Sequence, residues 1–159
     1  MEKDIFCSLY PVWKKEGKMI CENESTYSIL SVTPAMPLHA VIILKRHVES
    51  NGDLSAKEAS DLVSAIKKTF EVIQSMDSEK IVGFYKDLEQ NPPTKESAGF
   101  AQAILADPDI LKKPVGYNTG TNVGKEAGQL VNHYHVHLFP IRKQSLGIVT
   151  AMRNHYQKQ

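Results

Sequence analysis

Residues 128–142 read GQLVNHYHVHLFPIR and place His133, His135 and His137 at alternate positions. Side chains two residues apart in a strand share one face, about 6.5–7 Å from each other. The alternation therefore predicts a strand that presents three imidazoles on one surface. The chain has six histidines in all, and half of them fall in this short stretch.

A row of imidazoles has two main chemical uses. Neutral imidazole is a common zinc ligand. A histidine can also attack phosphorus as a nucleophile while its neighbours donate hydrogen bonds. A purely structural role for all three rings is disfavoured, because each buried ring carries polar nitrogens that need partners. The row therefore indicates either a metal centre or a site for phosphate chemistry.

Three motifs together resemble the histidine-triad (HIT) family of nucleotide hydrolases and transferases. The triad at 133–139 follows a Gly-Gln pair and is itself followed by a proline and an arginine. The loop at 122–129 matches the family's Asn-x-Gly-x-x-x-Gly-Gln pattern. The segment 37–47 resembles the family strand that carries a fourth histidine, here His39, although Leu44 stands where the family has proline. The combination is far more specific than any one of these motifs alone.

The predicted fold is α+β, with a helix packed on one face of a five-stranded, mainly antiparallel sheet. Residues 1–159 are expected to form a single HIT-like domain. The predicted strands are 18–22, 26–32, 38–44, 115–121 and 132–139. Ser55 and Glu58 form a capping-box pattern that begins a helix. The apolar stripe that continues this helix to about residue 76 is Leu62, Ile66, Phe70 and Ile73.

Residues 77–113 are interpreted as a helical insertion, because the resemblance implies a more direct connection between the helix and the next strand. Pro92 and Pro93 end any helix that precedes them. Thr94 is a suitable N-cap for a second helix over 95–105. The resemblance does not cover this segment. We expect it to lie over either the dimer surface or the nucleotide cleft and to restrict substrate size. Its apolar side chains pack either there or against their own domain, namely Phe84, Tyr85, Phe100 and Ile104.

Composition excludes several classes of function. The chain has 159 residues, with 19 Lys and Arg against 18 Asp and Glu, so no strong net charge favours a nucleic-acid polymer or a membrane surface. It has no apolar run of about 18 residues and no secretory apolar segment at its start. Its two cysteines, Cys7 and Cys21, are too few for a disulfide framework. A reduced, cytoplasmic protein is expected.

The resemblance assigns a role to each histidine of the predicted site. His135, the middle member, would be the nucleophile, with its second nitrogen held protonated by a main-chain carbonyl. His137 would donate to a phosphate oxygen, while His39 and His133 would order the site. The resemblance also places Gln129 among the catalytic residues and Asn122 at the phosphate. Arg142 is either part of this region or a solvated surface charge.

A nucleoside pocket is expected from Ile5, Phe6, Leu9 and Leu30, although simple core packing explains each of them equally well. Ser31 stands where the family usually has an aspartate that accepts both ribose hydroxyls, so ribose recognition is in question. Leu130 stands where many phosphoramidase-type members carry a serine or threonine, and leucine cannot donate a proton to a leaving amine.

The sequence therefore predicts a hydrolase or nucleotidyl transferase that cleaves at the α-phosphate of a nucleotide conjugate, such as a nucleoside phosphoramidate or a dinucleoside polyphosphate. A homodimer is implied by the resemblance, and the mechanism requires no cofactor. Two alternatives stay open. One is a zinc-binding protein that uses the histidine cluster, with Cys7 and His47 as candidate ligands for a structural zinc ion. The other is a non-catalytic nucleotide-binding regulator that has retained the triad.

Overall fold

The computed structural model describes residues 4–145 and 147–157. Within these residues the five strands are β1 (Met19–Glu22), β2 (Thr26–Leu30), β3 (Ala40–Leu44), β4 (Gly116–Gly120) and β5 (His135–Ile141). The α-helices of the same residues are α1 (Ile5–Lys15), α2 (Ala56–Ser75), α3 (Ser78–Gln90), α4 (Lys95–Leu105) and α5 (Gly147–Tyr156). Neighbouring strands pair antiparallel in the spatial order β1-β2-β3-β5-β4. The predicted α+β fold with a five-stranded antiparallel sheet is confirmed.

Helices cover both faces of the sheet, and this explains why β3 is buried along its whole length. Ile42 and Leu44 belong to the main core, which α2, α3 and α4 complete. Val41 and Ile43 point to a smaller second cluster that α1 covers. The sequence patterns above predict no helix at α1, and Pro11 in its interior makes the helical pattern unfavourable.

Helix α2 begins at the predicted capping box. The Ser55 hydroxyl accepts from the Glu58 backbone N–H at 3.2 Å, and the Glu58 carboxylate accepts from the Ser55 N–H at 2.8 Å. The buried residues of this helix are Glu58, Leu62, Ala65, Thr69 and Ile73. The predicted stripe is therefore confirmed at its two ends, while its two middle members lie partly buried at the margin of the core.

Residues 77–113 form the two helices α3 and α4, which pack into the main core. Asp77 caps α3 through a bond from the Lys80 N–H, and α3 ends before the two prolines. Thr94 caps α4, and this helix has the predicted bounds. Because both helices contribute fully buried side chains, the segment is an integral part of the fold.

Near the C-terminal end of the described residues, α5 extends from Gly147 to Tyr156, and none of its residues is buried. In the described part of the chain, no helix is long and apolar enough to cross a membrane. The cytoplasmic location stays a prediction.

Candidate active site

Two of the three triad histidines lie side by side on β5. His135 and His137 stand opposite Ile43 and Val41 of β3, on the face that α1 covers, and their ring centroids are 4.9 Å apart. The predicted strand start at residue 132 is wrong by three residues, because β5 begins at His135. His133 therefore precedes the strand, and its ring contacts a different set of residues.

His135 is held in one protonation state by the backbone. Its Nδ1 lies 2.7 Å from the carbonyl oxygen of His133, which can only accept a hydrogen bond. Nδ1 therefore carries the proton, and Nε2 keeps its lone pair. Burial, together with the nearby His133, lowers the pKa of His135 although the carbonyl opposes this effect. The ring is consequently neutral at pH 7, and it forms part of a cavity wall.

His137 is also held in one protonation state, through His39. The N–H of Ala35 donates to Nδ1 of His39 at 3.2 Å, so the proton of the neutral His39 ring lies on Nε2. That nitrogen is 3.0 Å from Nδ1 of His137, which accepts from it and thus carries its own proton on Nε2. Burial and the adjacent histidines lower the pKa of His39 to about 3 and that of His137 to about 4, so both rings are neutral at pH 7.

The two histidines of β5 open into a cavity of about 430 Å³. This volume is in the range typical of small-molecule sites. Five of the predicted ligand-binding residues line it, namely Ile5, Phe6, Leu9, Ser31 and Asn122. Leu30 does not, because its side chain packs into the main core, which is the alternative given for it above. The hydroxyl of Ser31 accepts from the Thr33 N–H at 3.2 Å.

Part of the cavity wall comes from the segment 77–113, and the cleft is one of the two places expected for it. Phe84 and Leu88 of α3, together with Pro93, face the same space as the histidines. Lys18 and Asp87 lie there as well, with their charged groups 3.9 Å apart. No local pattern indicates this arrangement, because it depends on how α3 packs against the sheet. The segment 77–113 thus borders the candidate site.

Gln129 lies outside the cavity lining. Its side-chain oxygen accepts from the Gly124 N–H at 2.7 Å, and its amide nitrogen donates to the Glu49 carbonyl at 3.0 Å. Its oxygen thus binds the main chain of the loop that carries Asn122, and its nitrogen ties that loop to the main chain of the segment between β3 and α2. The structure therefore gives Gln129 contacts that shape this loop, and the predicted catalytic role stays a prediction.

His133 belongs to a second cluster with Asp4, Cys7 and His47, whose donor atoms all lie within 4.8 Å of one another. Nε2 of His133 is 2.8 Å from the Leu44 carbonyl, and Nδ1 is 3.0 Å from the Asp4 carboxylate. Nδ1 of His47 is 2.7 Å from the same carboxylate oxygen. A neutral His133 cannot donate to both acceptors, so this arrangement requires a second proton or a metal ion between His133 and Asp4.

Asp4 is the member of this cluster that sequence reasoning did not include. Its spacing of three residues from Cys7 is the available signal, since both then lie in the first turn of a helix. Burial alone would raise the pKa of Asp4, but bonds from the Cys7 backbone, His133 and His47 hold it well below its usual value. The carboxylate is therefore charged, and it also caps α1.

Arg142 is buried, so the interpretation as a solvated surface charge is wrong. Its Nη1 donates to the Pro37 carbonyl at 2.9 Å. Desolvation lowers the pKa of its guanidinium, against the attraction of Tyr85 and two nearby aspartates. Arg142 therefore contacts the turn that precedes His39 and does not line the cavity.

Comparison with known proteins adds to this geometry. A family profile described as the HIT domain matches residues 13–144. The chain is 28% identical over 144 residues to adenosine 5′-monophosphoramidase HNT1 of Candida albicans, covering 91% of this chain and 74% of that protein. It is 24% identical over 143 residues to the bis(5′-nucleosyl)-tetraphosphatase (asymmetrical) of Schizosaccharomyces pombe, covering 90% and 58%. The crystal structure of a histidine triad nucleotide-binding protein from Candida albicans superposes with a TM-score of 0.52 at 22% identity, covering 98% of this chain and 94% of that one.

Proposed function

This chain belongs to the HIT family, and from that premise we propose that it cleaves nucleotide conjugates at the α-phosphate through a nucleotidyl-histidine intermediate. The observation that carries the proposal is the state of His135. A neutral ring with its proton fixed on Nδ1 offers the lone pair of Nε2 to a cavity of nucleoside size. The names of two relatives, a monophosphoramidase and a tetraphosphatase, support nucleotide chemistry of this kind.

In the first step, Nε2 of His135 attacks the α-phosphorus and forms an N–P bond. The bond from phosphorus to the leaving group breaks, and the leaving group takes the electron pair. His137 donates its Nε2–H to a nonbridging oxygen as negative charge develops there, which stabilises the transition state. The Nδ1–H of His135 stays bonded to the His133 carbonyl, which accommodates the positive charge that forms on the ring.

In the second step, water attacks the same phosphorus, the N–P bond breaks, and His135 recovers its lone pair. The water proton passes to solvent. Splitting one displacement into two easier ones is the general advantage of a nucleophilic side chain. Every proton in this scheme is handled by an imidazole or by solvent, so the scheme needs no metal ion.

The lack of a proton donor at residue 130 favours substrates whose leaving group needs no proton. Leu130 has 95% of its surface exposed and no proton to donate. An amine must be protonated before it leaves, whereas a nucleoside polyphosphate leaves as a stable anion. We therefore expect the protein to prefer dinucleoside polyphosphates, or similar anhydrides, over nucleoside phosphoramidates. The apolar walls formed by Phe6 and Leu9 suit a nucleobase, and Phe84 of α3 limits the size of what enters.

Replacement of the nucleophile tests this proposal. His135→Ala should lower kcat by several orders of magnitude on a panel of dinucleoside polyphosphates and phosphoramidates, as loss of a nucleophile does in other covalent mechanisms. His155→Ala, a change at an exposed histidine on α5, is the matched control and should keep normal turnover. A folded His135→Ala protein with near-normal kcat would refute the nucleophile. A wild-type protein that binds nucleotides but turns over none of the panel would favour the regulator instead.

A specific observation supports zinc as a structural ion beside this site. Asp4, Cys7, His47 and His133 supply four donors of the kinds that zinc binds, and the Leu44 carbonyl can hold His133 with Nδ1 as the ligand atom. Zinc there would remove the need for a second proton between His133 and Asp4 and would tie the start of α1 to the sheet. Metal analysis of protein purified without chelators should give one zinc per chain, lost in Asp4→Asn. Metal-free protein whose Tm does not respond to added zinc would refute this proposal.

We also propose that the protein is a homodimer. The strand order leaves β1 and β4 at the edges of the sheet. Tyr117 of β4 and the adjacent Val115 are exposed. Unpaired strand edges tend to be covered in stable proteins. In a two-fold symmetric dimer, the same edge strand of each subunit lies against its copy in the other subunit. One such contact therefore covers the unpaired backbone groups of both strands.

A further inference from the structure

One peptide unit beside the active site is held at both of its ends. The carbonyl of Pro37 accepts from Nη1 of Arg142 at 2.9 Å. The N–H of the same unit, which belongs to Leu38, donates to the Tyr85 hydroxyl at 2.6 Å. Tyr85 and Leu38 are almost completely buried, at 0% and 1% exposure. These two contacts, called the peptide clamp below, come from parts of the chain that are distant in sequence, one from α3 and one from the residue directly after β5.

The clamped residue has a strained backbone. Leu38 has a φ of 62°, and among the described residues it is the only one other than glycine with a positive φ. This conformation brings the Cβ of an L-residue close to its own backbone, and it persists only where surrounding contacts enforce it. The buried Leu38 side chain and the peptide clamp are contacts of that kind. Without the clamp, the turn would relax toward a conformation with negative φ.

The strained residue Leu38 directly precedes His39, so its backbone conformation fixes the position from which the His39 side chain extends. The turn is closed by the His39 N–H, which donates to the Met36 carbonyl at 3.1 Å. It also brings the Ala35 N–H to Nδ1 of His39. That contact fixes the proton of His39 on Nε2, from which it is donated to His137. A relaxed turn would move the Ala35 N–H away from Nδ1 of His39. The proton of His39 would then no longer be confined to Nε2.

We propose that Tyr85 is a positioning residue, which acts with Arg142 through the peptide clamp to keep His39 and His137 in the single tautomer that presents a proton to the phosphate. The link from tautomer to turnover rests on the proposed function, whereas the link from clamp to tautomer does not. The proposal gives the segment 77–113 a role in the site beyond its contribution to the cavity wall. It also explains why a hydroxyl at the end of a buried aromatic ring is aimed at a backbone N–H.

The test compares Tyr85→Phe with the wild-type protein. This change removes only the hydroxyl and leaves the ring that fills the core. Arg142→Met removes the other end of the clamp and serves as the second variant. Thr69→Val is the matched control, because it removes a buried hydroxyl of α2 that donates to Ser28 at 2.8 Å, on the face of the sheet opposite the β5 histidines. Each protein is assayed for Tm, for kcat and KM, and for ring tautomers by two-bond ¹H–¹⁵N correlation spectra of the histidines.

In the wild-type protein, His39 and His137 should show the Nε2–H form and His135 the Nδ1–H form. Tyr85→Phe and Arg142→Met should give mixed tautomers at His39 and His137, unchanged signals at His135, and a kcat about 10-fold lower or more with KM within about twofold. Thr69→Val should lose Tm without these changes. A Tyr85→Phe protein with wild-type tautomers and a loss of Tm like that of the control would overturn the proposal. Mixed tautomers with wild-type kcat would overturn the link to catalysis, and a wild-type protein without turnover would contradict the proposed function while leaving the tautomer test intact.

Discussion

Lowering the pH tests the electrostatics of the site, because burial shifts the histidines away from their ordinary titration range. The pKa of His137 is lowered to about 4, and that of His39 to about 3. At pH 5.5 a ring with a pKa of about 4 is about 97% neutral, whereas an ordinary imidazole with a pKa of about 6.5 is about 9% neutral. The neutral fraction of His137 at pH 5.5 is therefore about ten times that of an exposed imidazole, and the site should keep more of its activity there than an exposed histidine site would.

The assay is kcat/KM on a dinucleoside polyphosphate between pH 4.5 and 8 at constant ionic strength. We expect the midpoint of the fall in kcat/KM to lie below pH 6.5, because burial lowers the pKa of both His135 and His137. A midpoint near pH 6.5 would contradict these shifts, because it would mean that the catalytic rings titrate as exposed groups.

Stability must be followed over the same range to separate loss of activity from loss of fold. The folded-state pKa of His39 and His137 is lowered, so the unfolded chain binds more protons below pH 6.5. Their contribution to stability is thus fully present above about pH 6.5 and is lost as the pH falls toward their folded values. The free energy of unfolding should decrease over this interval, and a Tm that is independent of pH between 4.5 and 7 would contradict the shifts.

Three further predictions concern specificity and assembly. Ser31→Asp should favour ribonucleotides over 2′-deoxy forms by about 1–3 kcal/mol, since two charge-assisted hydrogen bonds to the ribose replace a neutral hydroxyl; an unchanged ratio of dissociation constants would mean that residue 31 does not face the sugar. Phe84→Ala should broaden acceptance of bulky substrates by opening the cavity wall, whereas Phe100→Ala, on an exposed part of α4, should not; equal substrate profiles for the two variants would show that α3 does not limit substrate size. Sedimentation velocity at micromolar concentration should give the dimer mass, and the monomer mass throughout that range would refute the dimer.

Local patterns predicted those parts of the fold that local chemistry determines. The Ser55 capping box and the Thr94 cap are side chains that satisfy nearby backbone N–H groups, and both helices begin where these signals lie. The strands of the central sheet followed from β-branched and apolar runs. Helix α1 was not predicted, because Pro11 opposes a helix and the stability of α1 comes from packing its aromatic face on β2 and β3.

The two-residue spacing of the histidines predicted the part of the site that lies on β5. His135 and His137 share one face of β5 as the alternation requires. The position of His133 was not predictable, because its ring is placed by Leu44 and Asp4, which are distant in sequence. The same is true of Tyr85 and Phe84, whose relation to the histidines depends on the packing of α3. These side-chain positions depend on contacts between residues that are distant in sequence, and local patterns do not encode such contacts.

The central claim is that His135 forms a covalent bond to the nucleotide. The most direct measurement is rapid quenching of the wild-type protein with a dinucleoside polyphosphate, followed by mass spectrometry of the peptide that contains residue 135. We predict a transient, acid-labile nucleoside monophosphoryl group on His135, formed and lost at rates that match turnover, and absent from His135→Ala. Turnover in the wild-type protein with no such adduct at any quench time, together with retained activity in His135→Ala, would contradict it.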